Sequence, residues 1–124
     1  MNVMFIVPPD TMSIEASMSK TYGDKERGYY PKLGLLYVAA YLEHVTGRRP
    51  TFIDCPANDI GYKELPSYIQ DVKPDLVGIT VLTFNLLDAL HCSRLVKQLS
   101  PTTKICLGGS HVGHYPKETL AYPE

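Results

Sequence analysis

Asn2-Val3-Met4-Phe5-Ile6-Val7-Pro8-Pro9 is the stretch on which the fold turns. From Val3 to Val7 every side chain is apolar, most of them β-branched or aromatic, and the two prolines forbid further ladder pairing. A strand with one wet face alternates apolar and polar residues. One that is apolar throughout is covered on both faces, as in a parallel sheet between layers of helix. Asn2 to Pro8 is therefore read as a central strand.

Outward from it, strands and helices alternate. Leu33 to Thr46 reads as a helix stopped by Gly47. Thr51 to Cys55 is a second short strand, ended by Pro56. Tyr62 to Val72 is a second helix with Leu65, Tyr68, Ile69 and Val72 on one side, and Pro66 in its first turn moves its start toward Leu65. Asp75 to Thr80 is a third strand, set off by Lys73-Pro74. Leu86 to Leu99 is a third helix, with Ala89, Cys92, Val96 and Leu99 at helical spacing. Lys104 to Leu107 is a fourth strand running into Gly108-Gly109, and Pro116 to Leu120 begins one more short helix.

This β-α-β-α-β-α-β order predicts an α/β, three-layer, flavodoxin-like (Rossmann-like) domain. Right-handed crossovers give a parallel sheet in the order 2-1-3-4. That fold ordinarily has a fifth strand, so residues 1–124 are expected to be the N-terminal piece of a longer protein, with the fifth strand truncated. Such a piece would leave an open sheet edge and tend to self-associate.

Composition narrows the function. The chain has 124 residues, 44% apolar and 20% charged, which is globular and long enough for a real core. Twelve Lys and Arg against thirteen Asp and Glu leave a net charge of −1, so no basic excess points to nucleic acid or an anionic membrane. No apolar run approaches the ~20 residues of a membrane span, and no basic segment precedes Val3 as in a signal peptide. Cys55, Cys92 and Cys106 are odd in number and far apart, which favours a reducing, cytoplasmic setting over a disulfide framework.

Two features are irregular. The connection from Pro9 to Lys32 far exceeds the about 2–6 residues of an ordinary βα loop. It carries Met12, Met18, Tyr22, Tyr29 and Tyr30, more apolar bulk than a solvated linker needs, which favours a lid or a contact surface over a plain mobile insertion. The first helix is apolar nearly all round, with Leu33, Leu36, Tyr37 and Ala40 on one side and Leu35, Val38, Ala39 and Leu42 on another. One face would cover the sheet and the other meet a partner or a bound group.

In an open parallel sheet, ligands bind beyond the carboxyl ends of the strands where strand order reverses. For the order 2-1-3-4 this crevice lies between strands one and three, bordered by Pro8-Pro9, Thr80-Val81-Leu82-Thr83 and Gly108-Gly109-Ser110-His111. Familiar sites fail there. After strand one stands Pro-Pro-Asp-Thr, where a dinucleotide site needs G-x-G-x-x-G. No P-loop follows any strand, Asp10 has no acidic neighbour, and no Ser or Cys sits on a nucleophile elbow. His111 and His114 make a weak metal pair with no third ligand nearby, so neither a metal site nor a catalytic residue is assigned. Small, hydroxylic and glycine walls suit a large, flat, weakly charged ligand. Gly108-Gly109 could let such a group approach or could simply form a tight turn, and Thr80 and Thr83 could bind it or cap the third helix.

Pro8-Pro9, Pro31-x-x-Gly34-Leu35-x-Tyr37-x-Ala39-Ala40-Tyr41-Leu42, Asp54, Pro74-Asp75-x-Val77-Gly78-Ile79-Thr80 and Gly108-Gly109-Ser110-His111 occur in order across almost the whole chain. Together they resemble the N-terminal cobalamin-binding domain of radical S-adenosylmethionine enzymes. Anaerobic magnesium-protoporphyrin monomethyl ester cyclases and cobalamin-dependent methylases belong to that group. The resemblance implies cobalamin as cofactor, its nucleotide tail beside Gly108, Gly109, Ser110 and His111. The corrin would lie over the strand ends, approached by Thr80, Val81, Leu82 and Thr83, with Pro8 and Pro9 bordering the same site. The D-x-H-x-x-G motif that supplies a histidine to cobalt in methionine-synthase-like domains is absent, which implies base-off binding. The C-x-x-x-C-x-x-C motif is absent too, so a 4Fe-4S cluster and S-adenosylmethionine would belong to a downstream barrel domain, the implied partner in methyl transfer or cyclase chemistry. The alternative is a non-catalytic interaction domain that keeps the fold without the cofactor.

Overall fold

The computed structural model of the protein describes residues 1–12 and 30–123. Four strands, β1 (Val3–Val7), β2 (Thr51–Asp54), β3 (Leu76–Thr80) and β4 (Lys104–Gly108), form one parallel sheet in the order β2-β1-β3-β4. Between them run α1 (Leu33–Thr46), α2 (Leu65–Val72) and α3 (Leu86–Leu99), and α4 (Ser110–His114) and α5 (Pro116–Leu120) follow β4. This is the flavodoxin-like order expected from the alternation. All five residues of β1 are buried, as a central strand between two helix layers requires.

The elements stop where local chemistry stops them. Gly47 adopts the left-handed conformation at φ 65° and its N–H caps the Glu43 carbonyl at 2.8 Å. Lys73 ends α2 the same way at φ 48° despite its side chain, held by its N–H on the Ile69 carbonyl and by Pro74 behind it. Helix α2 begins at Leu65, with Pro66 in its first turn, as the proline indicated, and not at Tyr62. Helix α4 was not foreseen. It starts directly after Gly109, and its Gly113 and two histidines hide any apolar period.

The sheet divides the core in two. Met4, Ile6, Ile53, Val77 and Ile79 point to the side of α2 and α3, where Leu65, Ile69, Ala89, Cys92 and Val96 cover them. Val3 and Phe5 point the other way, toward Ala39, Leu35 and Leu42 of α1. The register Phe5–Gly78–Cys106 places Lys104, Cys106 and Gly108 on this second face. All three are exposed, so among the described residues α1 leaves the β4 side of its face bare. The outer side of α1 is bare as well, with Leu33, Tyr37, Val38, Tyr41 and Val45 between 54% and 74% exposed. The all-round apolar pattern is thus covered on one side only in this chain.

Met18, Tyr22 and Tyr29 of the long connection lie outside the described residues. Of its other bulky residues Met12 is half-buried and Tyr30 exposed. No described helix is long and apolar enough to cross a membrane.

Candidate functional site

Three chain segments meet at the carboxyl edge of the sheet. Pro8 and Pro9 leave β1 fully covered, forming the floor, while Asp10 is exposed. From β3 come Thr80, Val81, Leu82 and Thr83, and from β4 come Gly108, Gly109, Ser110 and His111. The last two segments are tied by backbone. Val81 donates its N–H to the Gly108 carbonyl at 2.6 Å, and its own carbonyl accepts the His111 N–H at 3.3 Å. The Val81 side chain is buried in the core, so only its backbone faces the edge.

The two glycines do different work. Gly109 has φ 109°, a conformation L side chains rarely adopt, and a Cβ there would collide with the Val81 carbonyl oxygen. The tight-turn reading holds for Gly109. A valine at this position would break the junction with Val81. Gly108 is the open one: a Cβ there meets no atom within 4 Å. Farther down the same face, a Cβ on Gly78 would lie 2.6 Å from the Phe5 ring, which fills the place of the missing side chain.

Neither threonine caps α3. Thr83 Oγ1 is hydrogen-bonded to His111 Nδ1 at 3.1 Å, joining the two rims, and the His111 ring lies on Tyr115 with centroids 5.2 Å apart. The turn into α3 is held by buried Asn85, whose Oδ1 accepts the Leu82 N–H at 2.7 Å. His114 is occupied within its own helix, Nδ1 to the Ser110 carbonyl at 2.7 Å. Among the described residues no three His, Cys, Asp or Glu side chains gather as metal ligands.

One polar cluster escaped the sequence reading. Asp88, wholly buried in the first turn of α3, accepts the Met12 N–H at 2.8 Å, the Thr11 N–H at 3.2 Å, the Thr11 hydroxyl at 2.9 Å and the Tyr62 hydroxyl at 2.7 Å. A carboxylate with its oxygens filled by donors tolerates burial. The cluster fixes the chain just beyond β1 and the approach to α2 against α3. The signal was its place four residues before Cys92, on the buried row of the helix.

Protonation is biased toward the neutral forms. Burial, then the Asp88 hydrogen bond, pushes the Tyr62 phenol above its ordinary range, and burial raises the Cys92 thiol. Burial, with Asp54 adding to it, pushes Cys55 up to about 12. These groups are structural acids held protonated, with no activated nucleophile among them. The edge offers hydroxyls, backbone groups and open space, which is the chemistry of holding a ligand. A cavity of about 720 Å³ lies at the opposite, amino end of the sheet.

Compared with known proteins, the chain matches the B12 binding domain family over residues 19–124. It is 27% identical over 120 residues to an uncharacterized methyltransferase of Pyrococcus horikoshii, covering 97% of this chain and 24% of the relative. It is 28% identical over 102 residues to the anaerobic magnesium-protoporphyrin IX monomethyl ester cyclase of Rubrivivax gelatinosus, covering 82% of this chain and 17% of the relative. The chain thus spans about a quarter or less of the length of these relatives. No solved structure gives a significant match.

Proposed function

The chain belongs to the B12 binding domain family, and from that premise we propose that it holds cobalamin for a radical S-adenosylmethionine methyltransferase or cyclase. The observation that carries the reading is Gly108. It ends β4 with open space where a Cβ would stand, on the sheet face that α1 leaves bare beside Cys106. A broad ligand can lie there against backbone without displacing any side chain.

The residues present fit such a group. Gly108 and Ser110 would admit the nucleotide tail, and Gly109 would hold the turn against Val81 rather than touch the ligand. Thr80, Leu82 and Thr83 would form the rim under the corrin, with Pro8 and Pro9 as its rigid floor. His111 would keep Thr83 in place through their 3.1 Å hydrogen bond. With no D-x-H-x-x-G motif, binding is base-off. When bound, the cofactor supplies cobalt-centred methyl-transfer or cyclase chemistry. The iron–sulfur cluster and S-adenosylmethionine reside in a further barrel domain, which is the partner of this one, in a cytoplasmic enzyme. The names of the two relatives support this range of reactions.

Incubation with hydroxocobalamin followed by gel filtration tests the reading. Cobalamin co-eluting with a base-off spectrum, and lost in a folded Gly108→Val variant, is the expected result. Retention unchanged in that variant would overturn the role of Gly108. A second reading, an interaction domain without cofactor, draws on the exposed Tyr37, Val38 and Tyr41 of α1. No colour retained by the wild-type chain would favour it.

A further inference from the structure

The amino end of the sheet carries a cavity of about 720 Å³, far from the strand ends discussed above. That volume lies within the roughly 300–1,000 Å³ of small-molecule sites. Its floor is apolar, made by Val3, Leu42, Pro50 and Val72, and its rim carries Arg48 and Arg49. Both arginines are exposed, and among the described residues neither guanidinium makes an ion pair or a hydrogen bond. The nearby carboxylate of Asp75 is already engaged, accepting the Asn2 N–H at 2.6 Å and lying 3.8 Å from the amino terminus.

The loop bearing the arginines is held. Gly47 N–H caps Glu43, Thr46 Oγ1 donates to the Leu42 carbonyl at 2.6 Å, and the Arg48 N–H donates to Thr46 Oγ1 at 3.2 Å. The carbonyl end of α1 favours cations here. That attraction leaves the planar N–H forks unused, and such forks match carboxylate, sulfonate or phosphate oxygens in pairs.

We propose that this cavity binds a small organic anion: an apolar or aromatic body against Val3, Leu42 and Val72, with its acidic group on Arg48 and Arg49. The inference is independent of the cobalamin reading, since no residue is shared between the two sites. Titration with 8-anilinonaphthalene-1-sulfonate, followed by amide chemical shifts, tests it. Expected are saturable shifts at Thr46, Arg48, Arg49 and Thr51, displacement by inorganic sulfate, and affinity weakened about tenfold or more in R48Q/R49Q. Both arginines are exposed, and the amide spectrum itself reports that the variant is folded. Shifts confined to the bare side of α1, unchanged affinity in R48Q/R49Q, or no saturation by about 1 mM would each overturn the proposal.

Discussion

Tyr62 donates its hydroxyl to Asp88 Oδ1 at 2.7 Å, across 26 positions of sequence, and so joins the approach to α2 with the first turn of α3. The same carboxylate takes three donors from Thr11 and Met12. One buried anion therefore determines where the chain goes after β1, next to the edge proposed to hold the cofactor.

Asp88→Asn tests how much that junction is worth. The remaining oxygen can still serve Tyr62 and Thr11 Oγ1, but the amide nitrogen would face the N–H groups of Thr11 and Met12 with no acceptor for them. Leaving buried donors unpaired costs about 1–3 kcal/mol. Urea unfolding should show that loss with an unchanged slope. Amide exchange at Met12 should accelerate before the rest of the sheet opens.

Gly78→Ala is a second stability test. Its Cβ would sit 2.6 Å from the Phe5 ring in the middle of the sheet. The ring is packed by Ala39 and Leu35 and cannot swing freely, so overpacking should cost about 1–3 kcal/mol. Thermal melts of Gly78→Ala alone and with Phe5→Leu decide it: the smaller partner should recover part of the loss. Equal melts for wild type and Gly78→Ala would refute the contact.

Gly108 and Gly109 are adjacent and identical, yet should respond oppositely. Gly109→Ala places a Cβ on the Val81 backbone at φ 109°, with a strain of about 1–3 kcal/mol. Gly108→Val enters open space at a strand end and should change stability by less than about 0.5 kcal/mol. Denaturant midpoints of the two variants separate these outcomes directly.

That contrast marks what the sequence could tell. Strand order was legible because Val3 to Val7 is apolar throughout, prolines punctuate the strands and the crossovers are helix-length. The edge was located by topology alone. A dipeptide of glycines carries no sign of which φ is positive, so the roles of Gly108 and Gly109 needed coordinates. Asp88 and Asn85 were invisible for another reason: their partners are fixed by three-dimensional packing, and polar residues near a helix start usually read as caps. Helix α1 covers the sheet with Ala39, Leu35 and Leu42 as its pattern indicated, while the pattern by itself names no occupant for the outer face.

Alkali should loosen the fold in a defined window. The Cys55 thiol, ordinarily near 9.0, is pushed up to about 12 by burial, and Cys92 and Tyr62 shift in the same direction. A raised pKa means the folded state keeps protons that the unfolded chain releases. The stabilisation is therefore complete below pH 9 and drains away as pH rises toward 12. Unfolding free energy should be flat from pH 7 to about 8.5 and fall beyond it, with a shallower fall in Cys55→Ala. A flat profile through pH 11 would contradict the burial of these groups.

Self-association is expected at the bare side of α1. Leu33, Tyr37, Val38, Tyr41 and Val45 expose a run of apolar surface along one helix flank, and β4 shows Cys106 and Gly108 on the same face of the sheet. Contiguous apolar patches drive association, and a net charge of −1 supplies little repulsion against it. If the flank is responsible, Tyr37→Lys with Tyr41→Glu should lower the mass seen by light scattering at high concentration without shifting the melting temperature, because neither ring is part of the core. Association that persists in this double variant would move the contact to the β4 edge, which no further strand covers among the described residues. Because the Lys104 N–H is spent on the Asp75 carbonyl at 2.9 Å, Cys106→Lys would then be the discriminating change, since it adds a charge to the exposed face of that edge strand without breaking the β3–β4 ladder. A chain that stays monomeric at every concentration would mean that the apolar flank is too divided by its neighbouring polar side chains to act as a surface.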